Sequence, residues 1–546
     1  MLRFLLFALS ALFCLSPLAA QEGLVGHFKL STNAKDSSSQ HLQGKAVELK
    51  FVKGKEFSST RFDGLKSELI FEESSLAKIG TKPFSVSMWV NLSEETDDVI
   101  GDLISQYDPA TRRGFNLSVK TNSGVTSSQS NYRQLQFGID DGQLETEWTD
   151  HGQPGNAVFI YSLATHQGEL YAGTCESGVD GVGHLYRWLE GKSWHDCGAP
   201  DKSNAVSALA EFDGNLYVAT SKYRLRGSAL DESPNENLGG KIFRYDVDGT
   251  WTHCGTLSEI EAINGLVVYK DKLYASSTYA PGGLFRFDGG TTWTNCGLPD
   301  GKRVEALTVY NGYLYATGYD EAGIYRYDGT DWSQVGLLPD ATQTYGFAVY
   351  EGDLYVSEWP NSRVYRYEGG DSWKNVGSLD DELESMPLIV YNGKMYCGSL
   401  PLAAVFRFDG DDNWSNLGRI DLTPDVKYRR AWSMSIFEGR LFAGTIPSGR
   451  VWSIAAGANA THDQTFPSGW HHVSAVKEMN RLKLYVDGKL VAKSEQFDAE
   501  TYDLSTEQPL RIGNGQHDHF NGQMRDVRLF NQALQPADIQ ELIQQN

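Results

Sequence analysis

The stretch Tyr310-Asn311-Gly312-Tyr313-Leu314-Tyr315-Ala316, followed by Ile324-Tyr325-Arg326-Tyr327-Asp328-Gly329-Thr330-Asp331-Trp332, decides how this chain must be read. Aromatic and apolar residues recur at period 2, and the breaks fall at Asn-Gly and Asp-Gly. Those dipeptides accept the positive φ of tight hairpin turns, so the stretch predicts short antiparallel strands. The same phrase recurs along the middle of the chain, with tryptophans at Trp148, Trp194, Trp251, Trp293, Trp332, Trp373 and Trp414. Each unit runs from Trp through a short polar segment to Gly, then a variable loop, an apolar run ending in an aromatic, a tight turn, Leu-Tyr-Ala/Val, a second variable loop and a closing strand. Four strands per unit, repeated at about 40 to 50 residues, describe a β-propeller. Gly, Asn and aromatics at period 2 do not build the helices of a solenoid.

Counting units gives seven. The last first-type strand falls near residues 433–437, but the final third-type strand, near 450–454, has no Trp-bearing strand after it. The Trp-bearing strand without a unit of its own lies at the start, near Trp148. The expectation is a seven-bladed propeller latched by its first strand.

Arg3, the apolar run 4–15 and Leu18-Ala19-Ala20 before Gln21 have the charge, length and small residues of a secretory signal peptide over residues 1–20. That run is too short to span a bilayer. The residues before Cys14, Leu12-Phe13, argue against a lipoprotein anchor. No later stretch approaches about 18 apolar residues, which predicts an exported mature chain without a transmembrane segment. The formal charge is −22, or −23 once Arg3 is removed; it disfavours nucleic acid, anionic membranes and strongly acidic polysaccharides as partners. Cys197, Cys254 and Cys296 share one repeat position, Trp-x-x-Cys-Gly, which elsewhere holds His151, Val335, Val376 or Leu417. A position shared with valine and leucine is a packing position, and no Cys/His spacing suits a metal.

On either side of the repeats the alternation changes character. Before them stand Arg61-Phe62-Asp63-Gly64 and Phe84-Ser85-Val86-Ser87-Met88-Trp89-Val90. After them come Gly469-Trp470-His471-His472-Val473, Leu484-Tyr485-Val486-Asp487-Gly488-Lys489, Leu510-Arg511-Ile512-Gly513, Asp526-Val527-Arg528-Leu529-Phe530 and a short terminal helix over 536–543. In order and spacing these motifs resemble the concanavalin A-like, laminin-G type jelly-roll family. The resemblance implies one sandwich interrupted after Asp140-Asp141-Gly142, giving jelly-roll over 21–144, propeller over 145–455 and jelly-roll again over 456–546. Insertion requires the ends of the inserted unit to lie close together, a condition that a self-latched propeller meets. The repeats themselves resemble kelch-like bacterial repeats, which implies fold only.

Two connections in each unit vary, among them 176–183, 222–240, 279–283, 319–323, 358–362 and 422–430, and both emerge on one face of a propeller. Binding is expected on that individual face. One slot on the first strands holds Tyr161, Ser207, Asn264, Glu305, Tyr345, Met386 and Trp432, residues that either line the channel mouth or fill the channel. With the loop residues Tyr279, Tyr319, Glu358, Trp359, Tyr428, Arg429 and Arg430, able to stack on and hydrogen-bond a sugar ring or peptide, they form the candidate ligand site. No catalytic constellation stands out. The flanks lack the Glu-x-Asp-x-x-Glu strand of the family 16 glucanases, which share the sandwich. Asp288-Gly289-Gly290-Thr291-Thr292-Trp293 resembles the Asp-box turn of sialidases, but Arg187, Arg244, Arg286, Arg326, Arg366 and Arg407 occupy one repeated strand position and read as structural. Calcium occurs in laminin-G-like sandwiches. Here Arg525 stands where the family often has an acid, which weakens that option, and Asp36 and Asp63 read as turn residues. The chain therefore reads as an exported, non-enzymatic binding or adhesion protein for a glycan or a surface or envelope protein, requiring no cofactor. A glycan-active hydrolase or lyase on the propeller face and a structural envelope component are the alternatives.

Overall fold

The computed structural model describes residues 22–545 except 56, 73–78, 96 and 247; the segment read as an export signal lies outside the described residues. Apart from the helix Pro536–Gln544 and short 3-10 turns, the regular structure is strand. In Phe84–Leu92 the residues Phe84, Val86, Met88, Val90 and Leu92 are enclosed, while Trp89 and Asn91 lie half-buried on the opposite face. This is the period-2 alternation of a sheet with one face in a core.

Phe84–Leu92 is central to a sheet ordered Lys50–Lys53, Ser58–Asp63, Asn521–Phe530, Phe84–Leu92, Gly469–Lys477, Leu482–Val486 and Lys489–Lys493, with Leu24–Phe28 also on Asn521–Phe530. A second sheet is ordered Lys45–Val47, Glu68–Phe71, Leu510–Ile512, Gly101–Asp108, Arg113–Asn122, Asn131–Asp141 and Ala458–Thr465. Both sheets take strands from before and after the repeats and share one core, in which Phe28, Phe62, Phe84, Phe115, Leu484 and Met524 are fully buried. Burying each such side chain contributes about 1.5–3 kcal/mol. Ile139 pairs with Ala458, so the intervening chain leaves and returns at adjacent strands.

Between those strands, five four-stranded antiparallel sheets stand in a propeller arrangement. One contains Ile263–Tyr269, Lys272–Ser277, Gly283–Gly289 and Thr292–Asn295 in sequence order. Another is composite: Arg430–Phe437, Arg440–Ile446 and Val451–Ile454 are followed by Thr149–Asp150, with Thr149 opposite Ser453 and Asp150 opposite Trp452. An eight-stranded sheet holds the remaining repeats. Its two runs of four strands, Ala157–His166 to Ser193–Asp196 and Ala205–Phe212 to Trp251–Thr256, meet through the pair Cys175 and Ala205.

The repeated tryptophans earn their spacing through one hydrogen bond. Each indole N–H donates to the backbone carbonyl of the Cys/Val/Leu/His position of a neighbouring unit, at 2.8–3.3 Å: Trp148 to Leu417, Trp194 to His151, Trp251 to Cys197, Trp293 to Cys254, Trp332 to Cys296, Trp373 to Val335 and Trp414 to Val376. The acceptor is main chain, so its side chain is free to vary. All five cysteines among the described residues are free thiols. The repeated arginines are spent locally, Arg244 on Asp246, Arg286 on Asp288 and Arg407 on Asp409 at 2.5–2.9 Å.

The two assemblies are joined in two ways. The tight turns between first and second strands dock on the sandwich: Gly168 N–H donates to Asp463 O, Gly312 to Asp97 O, Gly352 to His517 O and Gly439 to Thr461 Oγ1, at 2.7–3.1 Å. The constant face is therefore the covered one. In addition, residues 123–130, between Arg113–Asn122 and Asn131–Asp141, enter the centre of the ring as a plug. Its backbone carbonyls accept from Phe347 (to Gly124, 2.9 Å), Leu266 (to Ser127, 3.2 Å) and Thr165 (to Ser130, 2.9 Å), and Gln129 N–H donates to Leu209 O at 3.0 Å. Thr126 donates through Oγ1 to Trp432 O at 3.0 Å and Ser123 Oγ meets Thr308 Oγ1 at 2.8 Å. Gly124 has φ +68°, and a Cβ there would lie 3.1 Å from Leu307 O, so both conformation and space favour glycine.

Candidate functional site

With one face docked and the channel plugged from that side, the first-strand slot residues come together at the other end. Tyr161, Asn264 and Glu305 form a hydrogen-bonded chain. The tyrosine hydroxyl donates to Asn264 Oδ1 at 2.5 Å, and Asn264 Nδ2 donates to Glu305 Oε1 at 3.0 Å. A second group consists of Tyr345, whose hydroxyl donates to Gln343 Oε1 at 2.6 Å and lies 3.4 Å from Glu384 Oε1, and Arg430, whose Nε donates to Glu384 Oε2 at 3.3 Å. Phe159 stacks on Tyr161 at 4.5 Å, and Trp432 packs edge-on to Phe159, Tyr161 and Tyr345 at 5.3, 5.7 and 6.4 Å. Tyr223 closes on Tyr161 at 5.1 Å.

Enclosure sets the electrostatics. Burial pushes the Glu305 carboxyl up to about 8, with Glu384 adding to the rise and Arg303 opposing it, so at neutral pH it is largely a neutral acid. Burial also raises Glu384, against the opposing pull of Arg430. Among the described residues Arg430 Nη1, Trp432 Nε1 and Glu305 Oε2 are sealed without a hydrogen-bond partner, the Glu305 carboxyl lying near the Thr278 hydroxyl. Unpaired buried polar atoms cost about 1–3 kcal/mol each, a cost this layer shares with other buried polar groups of the molecule, such as Asp102, Arg112 and Lys120.

Around this layer stand half-buried rings, each with a cation on one face. The Arg224 guanidinium lies 4.3 Å from the Tyr279 ring centre, Arg303 lies 4.5 Å from that of Tyr319, and Lys427 and Arg430 lie 4.6 and 5.6 Å from that of Tyr428. Trp359 packs against the same aromatic cluster. Cation–π contacts of this kind hold a ring in place.

The structure thus brings together Tyr161, Asn264, Glu305, Tyr345, Arg430 and Trp432, with Tyr279, Tyr319, Trp359 and Tyr428 around them. The slot residues fill the channel at their own level rather than line an open bore: Tyr161, Asn264, Glu305 and Trp432 are all buried. Glu358 stands apart, because its carboxylate closes its own loop by accepting from Asn361 N–H and Arg363 N–H at 3.2 and 2.9 Å. Ser207 ties its strand to Ser221 and to Ile263 O at 2.6 Å each, and Met386 packs in the aromatic cluster. Sequence reasoning missed Glu384, Arg303, Tyr223 and Gln343. The one available signal was Glu384 itself, an acid opening an otherwise uncharged strand, Glu384–Tyr391.

The Asp-box-like turn is structural, its Asp288 accepting from Arg286 Nε at 2.9 Å and from the Thr294 hydroxyl. Oxygens of Asp140, Asp141 and Glu145 lie within 4.8 Å of one another, but Arg112 Nη1 stands 3.6 Å from Asp140 and 3.4 Å from Glu145. A guanidinium there already supplies the charge a cation would bring. Asp36 accepts the N–H groups of His27, Ser38 and Leu42, and Asp63 those of Leu65, Lys66 and Ser67; both organise loops.

The family model of the concanavalin A-like lectin/glucanases superfamily, laminin G type, matches residues 423–540, reaching from the last propeller sheet through the sandwich strands to the terminal helix. No curated protein matches the sequence. Among solved structures the chain is similar to virginiamycin B lyase from Staphylococcus aureus, at 12% identity over 56% of this chain and 98% of that one, with a TM-score of 0.43. It is also similar to YCF48 bound to D1 peptide (11% identity, 57% and 100% covered, TM-score 0.41) and to the WD40 propeller domain of Doa1 (12% identity, 56% and 96% covered, TM-score 0.41). Likenesses this distant carry nothing about what this chain does. What the chain carries is a concanavalin A-like, laminin G-type region beside a propeller arrangement.

Proposed function

We propose that this chain is an exported binding protein, a laminin-G-like sandwich (21–144 and 456–546) split by a seven-bladed propeller (145–455), and that it recognises carbohydrate at the undocked mouth of the propeller. The observation that carries the reading is the buried layer of Glu305, Glu384, Arg430 and Trp432 beneath a rim of cation-backed tyrosines. Carboxyl groups and tyrosine hydroxyls suit sugar hydroxyls, and half-buried aromatic rings suit the apolar face of a pyranose. Seven blades are supported by the indole-to-carbonyl bonds, which pass through seven units and return to the first, and by the contacts of successive first strands, the last of which packs on the first. The eight-stranded sheet then counts as two blades, and Thr149–Asp150 as the latch. Export rests on the N-terminal sequence; among the described residues no helix is long and apolar enough to cross a membrane.

A glycan-array screen of the mature protein tests the reading, run beside a variant carrying Tyr279→Ala, Trp359→Ala and Tyr428→Ala. Binding by the parent, weakened at least about tenfold in the variant, is the expected result. Failure to bind any glycan would sink it in favour of a protein partner or an envelope role. Binding should persist in a chelator, because Arg112 occupies the acidic cluster.

One observation favours a second reading, a glycan-active hydrolase or lyase: two buried carboxyls, Glu305 and Glu384, both raised by burial, with Glu384 adding to the rise at Glu305. Cleavage of an array-positive oligosaccharide by the parent but not by Glu305→Gln would establish it.

A further inference from the structure

A second site is built into the sandwich, on the outer face of the sheet around Phe84–Leu92, far from the propeller mouth in sequence and independent of that reading. Register places its residues. His472 and Arg525 lie directly opposite Trp89 on the two flanking strands, and Trp470 and Gln523 lie opposite Asn91 in the next row. Pairs in register share a face, so these six side chains form one patch, with Phe57 beside it.

Arg525 is its unusual member. The guanidinium lies 3.7 Å from the ring centre of Phe57, 5.0 Å from that of Trp89 and 5.7 Å from that of Trp470. It is only 8% exposed, and burial lowers its affinity for the proton. Among the described residues Nε and Nη2 have no hydrogen-bond partner and are sealed, as are Trp89 Nε1 and His472 Nδ1. The charge of the neighbouring acid, Asp526, offsets part of that burial, but Asp526 is hydrogen-bonded to His27 Nε2 at 2.7 Å and to Arg528 Nε and Nη2 at 3.1 and 3.0 Å. A bulge explains the arrangement. Arg525 pairs with Trp89 and Arg528 with Ser87, so one extra residue is accommodated, and Asp526 takes φ +53°. Bulges re-aim side chains; this one sends Arg525 into the rings and Asp526 away.

A buried cation with no hydrogen-bonded carboxylate among the described residues is costly, and a half-exposed Trp470 beside it offers a flat apolar surface bordered by the amides Asn91 and Gln523. We infer that this patch binds a sugar bearing a single carboxylate, the carboxylate meeting Arg525, the ring lying on Trp470 and hydroxyls meeting Asn91 and Gln523. A monoanion fits a patch whose remaining charges, Asp526 with His27 and Arg528, and Asp487 with His471, are already paired.

The test is calorimetric titration and saturation-transfer NMR of the intact protein with methyl β-glucuronide and methyl β-glucoside. The glucuronide should bind about tenfold more tightly, the increment of a charged hydrogen bond. Arg525→Gln should bring the two sugars to equality, and Trp470→Ala, at a half-exposed position that leaves the fold intact, should weaken both. The variant with the three propeller-rim substitutions should bind the glucuronide like the parent, so failure of the propeller reading leaves this result standing. Equal binding of both sugars by the parent, or unchanged discrimination in Arg525→Gln, would overturn the proposal. So would displacement of the glucuronide by a capped Asp-Glu dipeptide at equal concentration, which would mark a peptide site.

Discussion

At the scale of single residues, the site is governed by what burial does to ionisable groups. Glu305 titrates near 8 in the folded chain, well above an ordinary glutamate, so between about pH 4.5 and 8 the folded state holds a proton that the unfolded state has lost. Its contribution to stability is therefore fully present below that window and is lost as pH rises through it. Glu305→Gln keeps the neutral hydrogen-bonding shape and removes the titration. Its melting temperature should match the parent near pH 5 and exceed it by a few degrees at pH 8, as differential scanning fluorimetry would read. Equal melting temperatures at pH 8 would mean that the carboxyl is not held neutral. Of the slot residues, Tyr161, Asn264, Glu305, Tyr345 and Trp432 were legible from repeat alignment, because register carries equivalent positions to equivalent places. Glu384 was not, since it lies two residues from its slot and reaches the site through its pairing with Arg430. Glu358 was misleading for the converse reason: it sits in a variable loop, but local N–H groups capture its carboxylate.

At the scale of elements, the strands and turns follow from local chemistry, whereas the plug does not. Residues 123–130, Ser-Gly-Val-Thr-Ser-Ser-Gln-Ser, have the composition of a solvated loop, and nothing in their spacing distinguishes the two fates. Their polarity is used against the first strands, at Thr165, Leu209, Leu266 and Phe347, whose backbone groups would otherwise face an empty channel. Replacing 124–129 with a short Gly-Ser turn should expose those groups and uncouple the propeller from the sandwich. The expected outcome is a lower melting temperature, with one calorimetric transition dividing into two. An unchanged single transition would assign the coupling to the docked turns alone.

At the scale of the whole molecule, the docked turns, the plug and the adjacent strands Asn131–Asp141 and Ala458–Thr465 make one body out of two folds. The intact protein should accordingly unfold in a single calorimetric transition despite its 546 residues; two transitions in the parent would contradict that coupling. The docking also settles which propeller face stays open, because the short repeated turns are the ones covered. By itself, the sequence determined the all-β character, the repeat with its tryptophan spacing, the strand and turn chemistry, and the laminin-G-like motifs after the repeats. Those are properties of residues within a few positions of each other, or of periods that register preserves. Only the tertiary structure decided that a polar loop fills the ring, that Glu384 joins the channel layer and that a bulge turns Arg525 into an aromatic slot. Each depends on contacts between residues far apart in the chain, whose local patterns are those of ordinary loops and strands.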